Sequence, residues 1–402
     1  MEPKIRIKGF SGTWLETTIG EISSSFSGGT PSVGESKYYG GQIPFIRSGE
    51  INENKTQLFI TEEGLNSSSA RMVEKGTLLY AMYGATSGEV SISKINGAIN
   101  QAILAIYPKK GYSSEYICHY LRAKKNDIVR ELLQGGQGNL SGALIKGINI
   151  CFPPSEDEQN AIAKYLDSLD TKIISITKKI ESLNQVKAAS LQSMFPQEGE
   201  TKPRVRFKGF EGDWDFVSLG ECLSINNERN QSNVYGINDV LSVSDEVGVV
   251  NQIKLLGRSY AGKSVSNYRV LKTNQIVYTK SPLKSKPYGI VKVNEGPVGI
   301  VSVLYAVYDA KENVYPDYIH YFFEPTYRIN NYLLPLINKG AKNTMNISDE
   351  MALTGNICIP SYEEQKKIAE YLKSLDTQIT LQTQLLEKLK QKKSACLDNM
   401  FV

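Results

Sequence analysis

The sequence predicts an α+β chain built by internal duplication: two mixed α/β globular domains separated by two long antiparallel coiled-coil helices, related by a pseudo-two-fold axis. Three observations carry this. The segment Ile5 to Ile22 (IRIKGFSGTWLETTIGEI) reappears at Val205 to Cys222 (VRFKGFEGDWDFVSLGEC), matching the chain's two tryptophans, Trp14 and Trp214. A second repeat runs from Pro154 to Phe195 and from Pro360 to Phe401, with 22 identities in 42 aligned positions. Within each copy, apolar residues advance in alternating steps of four and three, the signature of a helical seam.

The elements follow in chain order as a first globule over 1–152, a spacer helix over 153–196, a second globule over 197–358 and a second spacer helix over 359–402. In the first helix the seam is Ile162, Leu166, Leu169, Ile173, Ile176, Ile180 and Leu183. In the second it is Ile368, Leu372, Leu375, Ile379, Leu386 and Leu389, with Gln382 at one apolar position and Lys187 and Lys393 at matching sites. Pro154-Ser155 and Pro360-Ser361, each ahead of acidic residues, mark helix starts, since a hydroxyl cap and carboxylates suit the positive helix end. About 40 residues at ~1.5 Å each give rods of ~60 Å, able to zip antiparallel and hold the globules at opposite ends.

Between the repeats, residues ~23–150 and ~223–357 show little obvious similarity. Both read as short strands, such as Ala102 to Tyr107 and Gly299 to Tyr308, with one amphipathic helix each over Tyr116 to Leu133 and Asp317 to Ile337. His119 and His320 fall at similar places on these helices and are assigned structural roles.

Composition narrows the chemistry. With 41% hydrophobic and 22% charged residues, both halves fold, and a formal net charge of +4 permits an anionic partner without demanding one. The two spacer helices hold 12 acidic and 12 basic residues, so the excess belongs to the rest of the chain. There is no signal-like or membrane-spanning run, and the five scattered cysteines show no CxxC spacing, which predicts a soluble, cytoplasmic protein. Two histidines are too few for a His-rich metal site, and no catalytic or metal-binding set is expected.

Polar, glycine-bearing loops supply the binding candidates, because Tyr, Asn, Gln, Ser, Thr, Lys and Arg make the contacts that nucleic acids accept. In the first globule these are Thr30 in GGTPS; Lys37, Tyr38 and Tyr39; Arg47 and Ser48; Tyr83, Ala85, Thr86 and Ser87 in YGATSG; Asn100 and Gln101; and Gln137 and Asn139. In the second they are Asn227, Arg229, Lys263, Lys280, Lys284, Lys286, Tyr288, Lys339, Lys342, Asn343 and Thr344.

Three motifs invite other chemistry. GRSYAGKS, Gly257 to Ser264, matches the P-loop pattern, but β-branched strand-like sequence follows it where a helix is required. Phe152-Pro153-Pro154-Ser155 has the wrong outer residues for an amine-holding methyltransferase motif. Glu364-Gln365-Lys366 imitates the end of a nuclease metal motif but falls in a first helical turn, where solvated capping charge accounts for it.

The paired helices opening PPSEDEQNAIAKYLDSLD and IPSYEEQKKIAEYLKSLD, with GGTPS, YGATSG and NQA, resemble the specificity subunits of bacterial type I restriction–modification enzymes. The resemblance covers essentially the whole chain. It implies that each globule is a target-recognition domain reading half of a split double-stranded DNA site. It also implies that the helices space the halves and dock two methyltransferase subunits, through which restriction subunits join. The chain itself would then need no cofactor, with S-adenosylmethionine, ATP and Mg²⁺ held by its partners. The second globule has no clear GGTPS or YGATSG. A self-sufficient DNA nuclease or methyltransferase, and a protein-binding coiled-coil adaptor, stand as the alternatives.

Overall fold

The computed structural model describes residues 2–133, 140–280, 285–339 and 345–401. Contacts divide the chain into two compact units, Met1–Lys178 with Gln384–Val402, and Lys179–Thr383.

In the first unit a four-stranded antiparallel sheet runs in the order Ser23–Ser27, Ile103–Pro108, Leu78–Ala81, Val90–Ile92. Its central strands read as unbroken apolar runs because both faces are covered. Leu78, Tyr80, Leu104 and Ile106 face the helix Ser114–Ala123 and the long helices, while Leu79, Ala81, Ile103 and Ala105 face Ile46, Val73 and Ile99. The second face is closed by another sheet, ordered Phe59–Ile60, Tyr39–Ile46, Gly97–Ile99, Arg71–Val73. Leu15–Thr18 pairs with Asn149–Phe152, which leads directly into the long helix Glu156–Ser193.

The second unit repeats this plan more closely than its sequence suggests. Leu223–Ile225, Tyr305–Ala310, Ile276–Thr279 and Val291–Val293 form the same antiparallel sheet in the same order. Arg269–Leu271 pairs with Gly299–Val301 as Arg71–Val73 pairs with Gly97–Ile99. Asp215–Ser218 and Asn356–Ile359 lead into the helix Tyr362–Met400. The units differ on the far face, where the first has a four-stranded sheet and the second, among the described residues, has the pair Arg269–Leu271 with Gly299–Val301 and the hairpin Leu241–Ser244 with Gly248–Asn251.

Each globule's expected single amphipathic helix is two. Ser114–Ala123 and Lys125–Leu133 are separated at Lys124, and Pro316–Phe323 and Thr326–Leu333 at Glu324-Pro325, where proline lacks the amide that helix continuation needs. The histidines are also one position out of register. Tyr116 Oη donates to Cys151 O at 2.7 Å and Tyr318 Oη to Cys358 O at 2.7 Å, so His119 corresponds to Tyr321 and His320 to Cys118.

The repeated sequences build one duplicated clamp. Arg6 makes a two-pronged ion pair with Glu158 at 2.7 and 2.8 Å, and Arg206 does so with Glu364 at 2.7 and 2.7 Å. Gln159 Oε1 accepts from the Ser113 amide, and its Nε2 donates to the carbonyls of Gly111 and Pro153. Gln365 binds Tyr315, Asn313 and Pro360 identically. Glu364 is therefore no solvated cap: it is 1% exposed, its charge neutralised by an arginine 158 residues away. Capping in the first helix falls instead to Ser155, whose Oγ accepts from the Glu158 amide at 3.4 Å.

Within each unit the long helices lie antiparallel. In the first, Lys393 pairs with Asp170 while Cys396 Sγ approaches Tyr165 Oη at 4.0 Å. In the second, Lys187 reaches Asp376 at 2.6 Å and Glu324 at 2.5 Å, and Ser190 meets Tyr371 at 3.4 Å. The seam is buried where it also meets a globule, at Ile162, Leu166, Leu169, Ile368, Leu372 and Leu375, and Leu386 is buried too. It is half-buried at Ile173, Ile176, Ile180, Leu183, Ile379 and Leu389.

Candidate nucleic-acid interface

In the first unit three loops distant in sequence meet at one end of the central sheet, and glycine makes the approach possible. A Cβ on Gly28 would lie 1.9 Å from Ile99 O, and one on Gly29 2.5 Å from Ser69. Without side chains, this strand end docks against the turn at 99–101, the Gly29 amide donating to Ile99 O at 3.2 Å. The docking sets Thr30 Oγ1 onto Gln101 Oε1. The Met82 amide donates to Ala102 O at 2.7 Å and the Leu140 amide to Met82 O at 3.1 Å, bringing the 82–88 loop alongside. There Gly84 and Gly88 take positive φ, Ser87 Oγ donates to Met82 O at 3.0 Å, and Ala85 and Thr86 sit at the turn's surface, with Tyr83 half-buried beneath.

Thr30, Tyr39, Arg47 and Asn100, from four separate segments, line one solvent-open cleft together with Val33, Phe45 and Leu58. Its polar groups are held in place. Tyr39 Oη donates to Pro31 O at 2.7 Å. Arg47 is forked onto Glu50 at 3.1 and 3.1 Å and touches Gln57 Oε1 at 3.3 Å. Burial raises the Glu50 pKa, but donation from Arg47 and from the Gln57 and Arg47 amides outweighs it and takes the carboxyl down to about 2. Glu50 is thus an anion throughout the physiological range, and it orients an exposed arginine. Ser48 opens the short turn that carries Glu50. Lys37 is exposed, pairs with Glu63 at 2.5 Å and lies over the Tyr38 ring at 5.2 Å.

The second unit's candidates divide. Asn227, Arg229 and Lys263 are exposed. Arg229 donates to Asn267 O at 3.0 Å, on an edge bridged to Arg269. Tyr288 is half-buried against the core. Lys280 is ion-paired with Asp349, and Lys286 is buried with its ammonium on Glu324 O at 2.5 Å and near Asp245 at 3.5 Å, so both charges are already partnered. Lys339 lies in the two-residue strand Asn338–Lys339. Gln137, Asn139, Lys284, Lys342, Asn343 and Thr344 lie outside the described residues.

The P-loop-like segment is not one: Gly257 ends the short helix Gln252–Leu256 at φ 75°, and irregular chain leads from it to the strand Arg269–Leu271. One His/Asp/Asp group stands among the described residues, His119, Asp167 and Asp170, with ligand atoms within 4.8 Å of one another. His119 Nε2 is 2.9 Å from Asp167, and Lys393 occupies Asp170. Among the described residues no helix is long and apolar enough to cross a membrane.

The model of the type I restriction modification DNA specificity domain matches twice, over residues 12–185 and 211–391. The chain belongs to this specificity family. The two matches each take in a globule and most of its following helix, so the duplicated unit described above is the family's domain. Among curated relatives in the family, the chain is 28% identical over 231 residues to the type I restriction enzyme MjaIX specificity subunit of Methanocaldococcus jannaschii, covering 54% of this chain and 53% of that one. It thus spans about half of that relative. It is 23% identical to the MjaVIII specificity subunit of the same organism over 96% of this chain and 91% of that one. With the EcoR124I/EcoR124II specificity subunit of Escherichia coli it shares 27% identity over 40% of this chain and 42% of that one. The crystal structure of a type I restriction–modification S subunit from M. genitalium shares the family's fold over 100% of this chain and 99% of that one, at TM-score 0.62 and 13% identity.

Proposed function

We propose that the chain is the non-catalytic DNA-reading subunit of a type I restriction–modification complex in the cytoplasm. Each unit reads one half of a bipartite double-stranded target, and the two long helices set the spacing and dock two methyltransferase subunits. Restriction subunits join through these, and S-adenosylmethionine, ATP and Mg²⁺ reside in the partners. The observation that carries this reading is the gathering of Thr30, Tyr39, Arg47 and Asn100 around one open cleft in a chain of duplicated specificity domains. An exposed arginine held by a carboxylate, beside amide and hydroxyl groups, is the equipment for hydrogen bonding to base edges and phosphates.

The test is to map methylated adenines in cells expressing this chain with and without a cognate methyltransferase subunit. The expected result is a split motif that appears only when both are present. Methylation by the chain alone would establish an enzyme. A soluble complex that marks no DNA would establish an adaptor.

A further inference from the structure

The two units repeat one turn with opposite surface chemistry. In the first, Asn100–Gln101–Ala102 joins Gly97–Ile99 to Ile103–Pro108, with the Ile103 amide on Asn100 O at 3.2 Å and the Ala102 amide on Asn100 Oδ1 at 3.2 Å. In the second, Ser302–Val303–Leu304 joins Gly299–Val301 to Tyr305–Ala310, with the Tyr305 amide on Ser302 O at 3.0 Å and the Leu304 amide on Ser302 Oγ at 3.4 Å. Bond for bond the turns are equivalent, each closed by a short polar side chain at its first position.

Their tips are not. Where the first unit carries Gln101, hydrogen-bonded to Thr30 beside the cleft, the second carries Val303, and Leu304 replaces Ala102. Val303 is 47% exposed and Leu304 59%. Neither belongs to the core beneath, which is made by Val301, Val307 and the half-buried Tyr305. On the strand edge beside this turn Arg269 pairs with Val301 but is buried and ion-paired with Asp349, whereas Arg229, bridged to Arg269, is exposed and presents a cation to solvent.

We propose that Val303 and Leu304 form the base-contacting tip of the second unit, and that their ligand is the 5-methyl group of thymine in the major groove of duplex DNA. The argument rests on the specificity role proposed above. That methyl is the apolar feature of the major groove, and small apolar side chains recognise it by contact, without hydrogen bonds. The turn occupies the position at which the first unit presents Asn100 and Gln101, and Arg229 stands where a neighbouring phosphate can be held.

The experiment uses the complete complex with its methyltransferase subunits and a duplex carrying the mapped target, replacing thymine by deoxyuridine one position at a time. Removing the methyl at one or two positions of a single half-site is expected to weaken binding about fourfold each, the value of one buried methyl-sized group. In the Val303→Ala, Leu304→Ala double variant, that sensitivity should vanish while the other half-site is read as before. A half-site without thymine on either strand, or methyl sensitivity that persists in the double variant, overturns the inference and leaves the specificity role intact. Loss of methyltransferase subunits with base preference unchanged also overturns it, identifying the tip as a protein contact. If the wild-type complex marks no DNA, the specificity role and this inference fall together.

Discussion

Glu364 shows how far apart in sequence the determinants of one buried charge can lie. Desolvating a carboxylate is tolerable only with a partner in place, and Arg206 supplies two bonds from the other end of the unit. Glu364→Gln leaves Arg206 facing a neutral amide and is expected to cost about 3 kcal/mol in denaturant unfolding, with Glu158→Gln comparable. The histidines give a pH signature. Burial lowers the pKa of His119 against the opposing pull of Asp167, and burial together with Lys292 takes His320 down to about 3. Unfolded imidazoles take up protons near pH 6.5 while these do not, so the unfolded state binds more protons below that value and stability falls as pH falls. Melting temperature should therefore drop from pH 7 to pH 5, and His320→Asn should flatten the slope. A Tm independent of pH across this window would contradict the burial argument.

At the scale of elements, the long helices were legible because a seven-residue apolar repeat needs no knowledge of its partner, and duplication doubled the signal. What the spacing could not reveal is that the seam has two kinds of position. Leu166 and Leu372 are fully buried because globule and helix close over them together, whereas Ile176 meets less and stays half-buried. Leu166→Ala and Leu372→Ala should each cost about 3 kcal/mol, while Ile176→Ala should cost under about 1 kcal/mol, measured by urea unfolding. The globules were harder to read. Their equivalence lives in strand order and register, which diverged sequences conceal, and the break at Lys124 has no proline or glycine to announce it. Of the site, Thr30, Tyr39, Arg47 and Asn100 do converge on one cleft, since glycine-bearing polar loops mark exposed chain. Lys280 and Lys286 were selected by the same polarity, yet they serve internal ion pairs, because a side-chain type does not disclose a partner far along the chain. Val303 and Leu304 carry no such mark in the sequence for the converse reason, since apolar residues are the ordinary material of a core.

For the whole molecule the charge distribution limits what the chain does alone. Its long helices are neutral in sum, so the net +4 sits on the remainder, and several lysines and arginines there, Lys37, Arg269 and Lys280 among them, are committed to carboxylates. If about four phosphates are neutralised, the logarithm of the DNA affinity should fall with log salt at a slope near −3.6. Raising salt from about 50 to 200 mM would then weaken binding by roughly 10²-fold. Fluorescence anisotropy of a labelled duplex over that range measures the slope directly. If the proposed methyltransferase subunits add phosphate contacts, the complete complex should be steeper. An equally shallow slope in the complex would place the whole phosphate contact on this chain, and a slope near zero would assign the first unit's cleft to something other than nucleic acid.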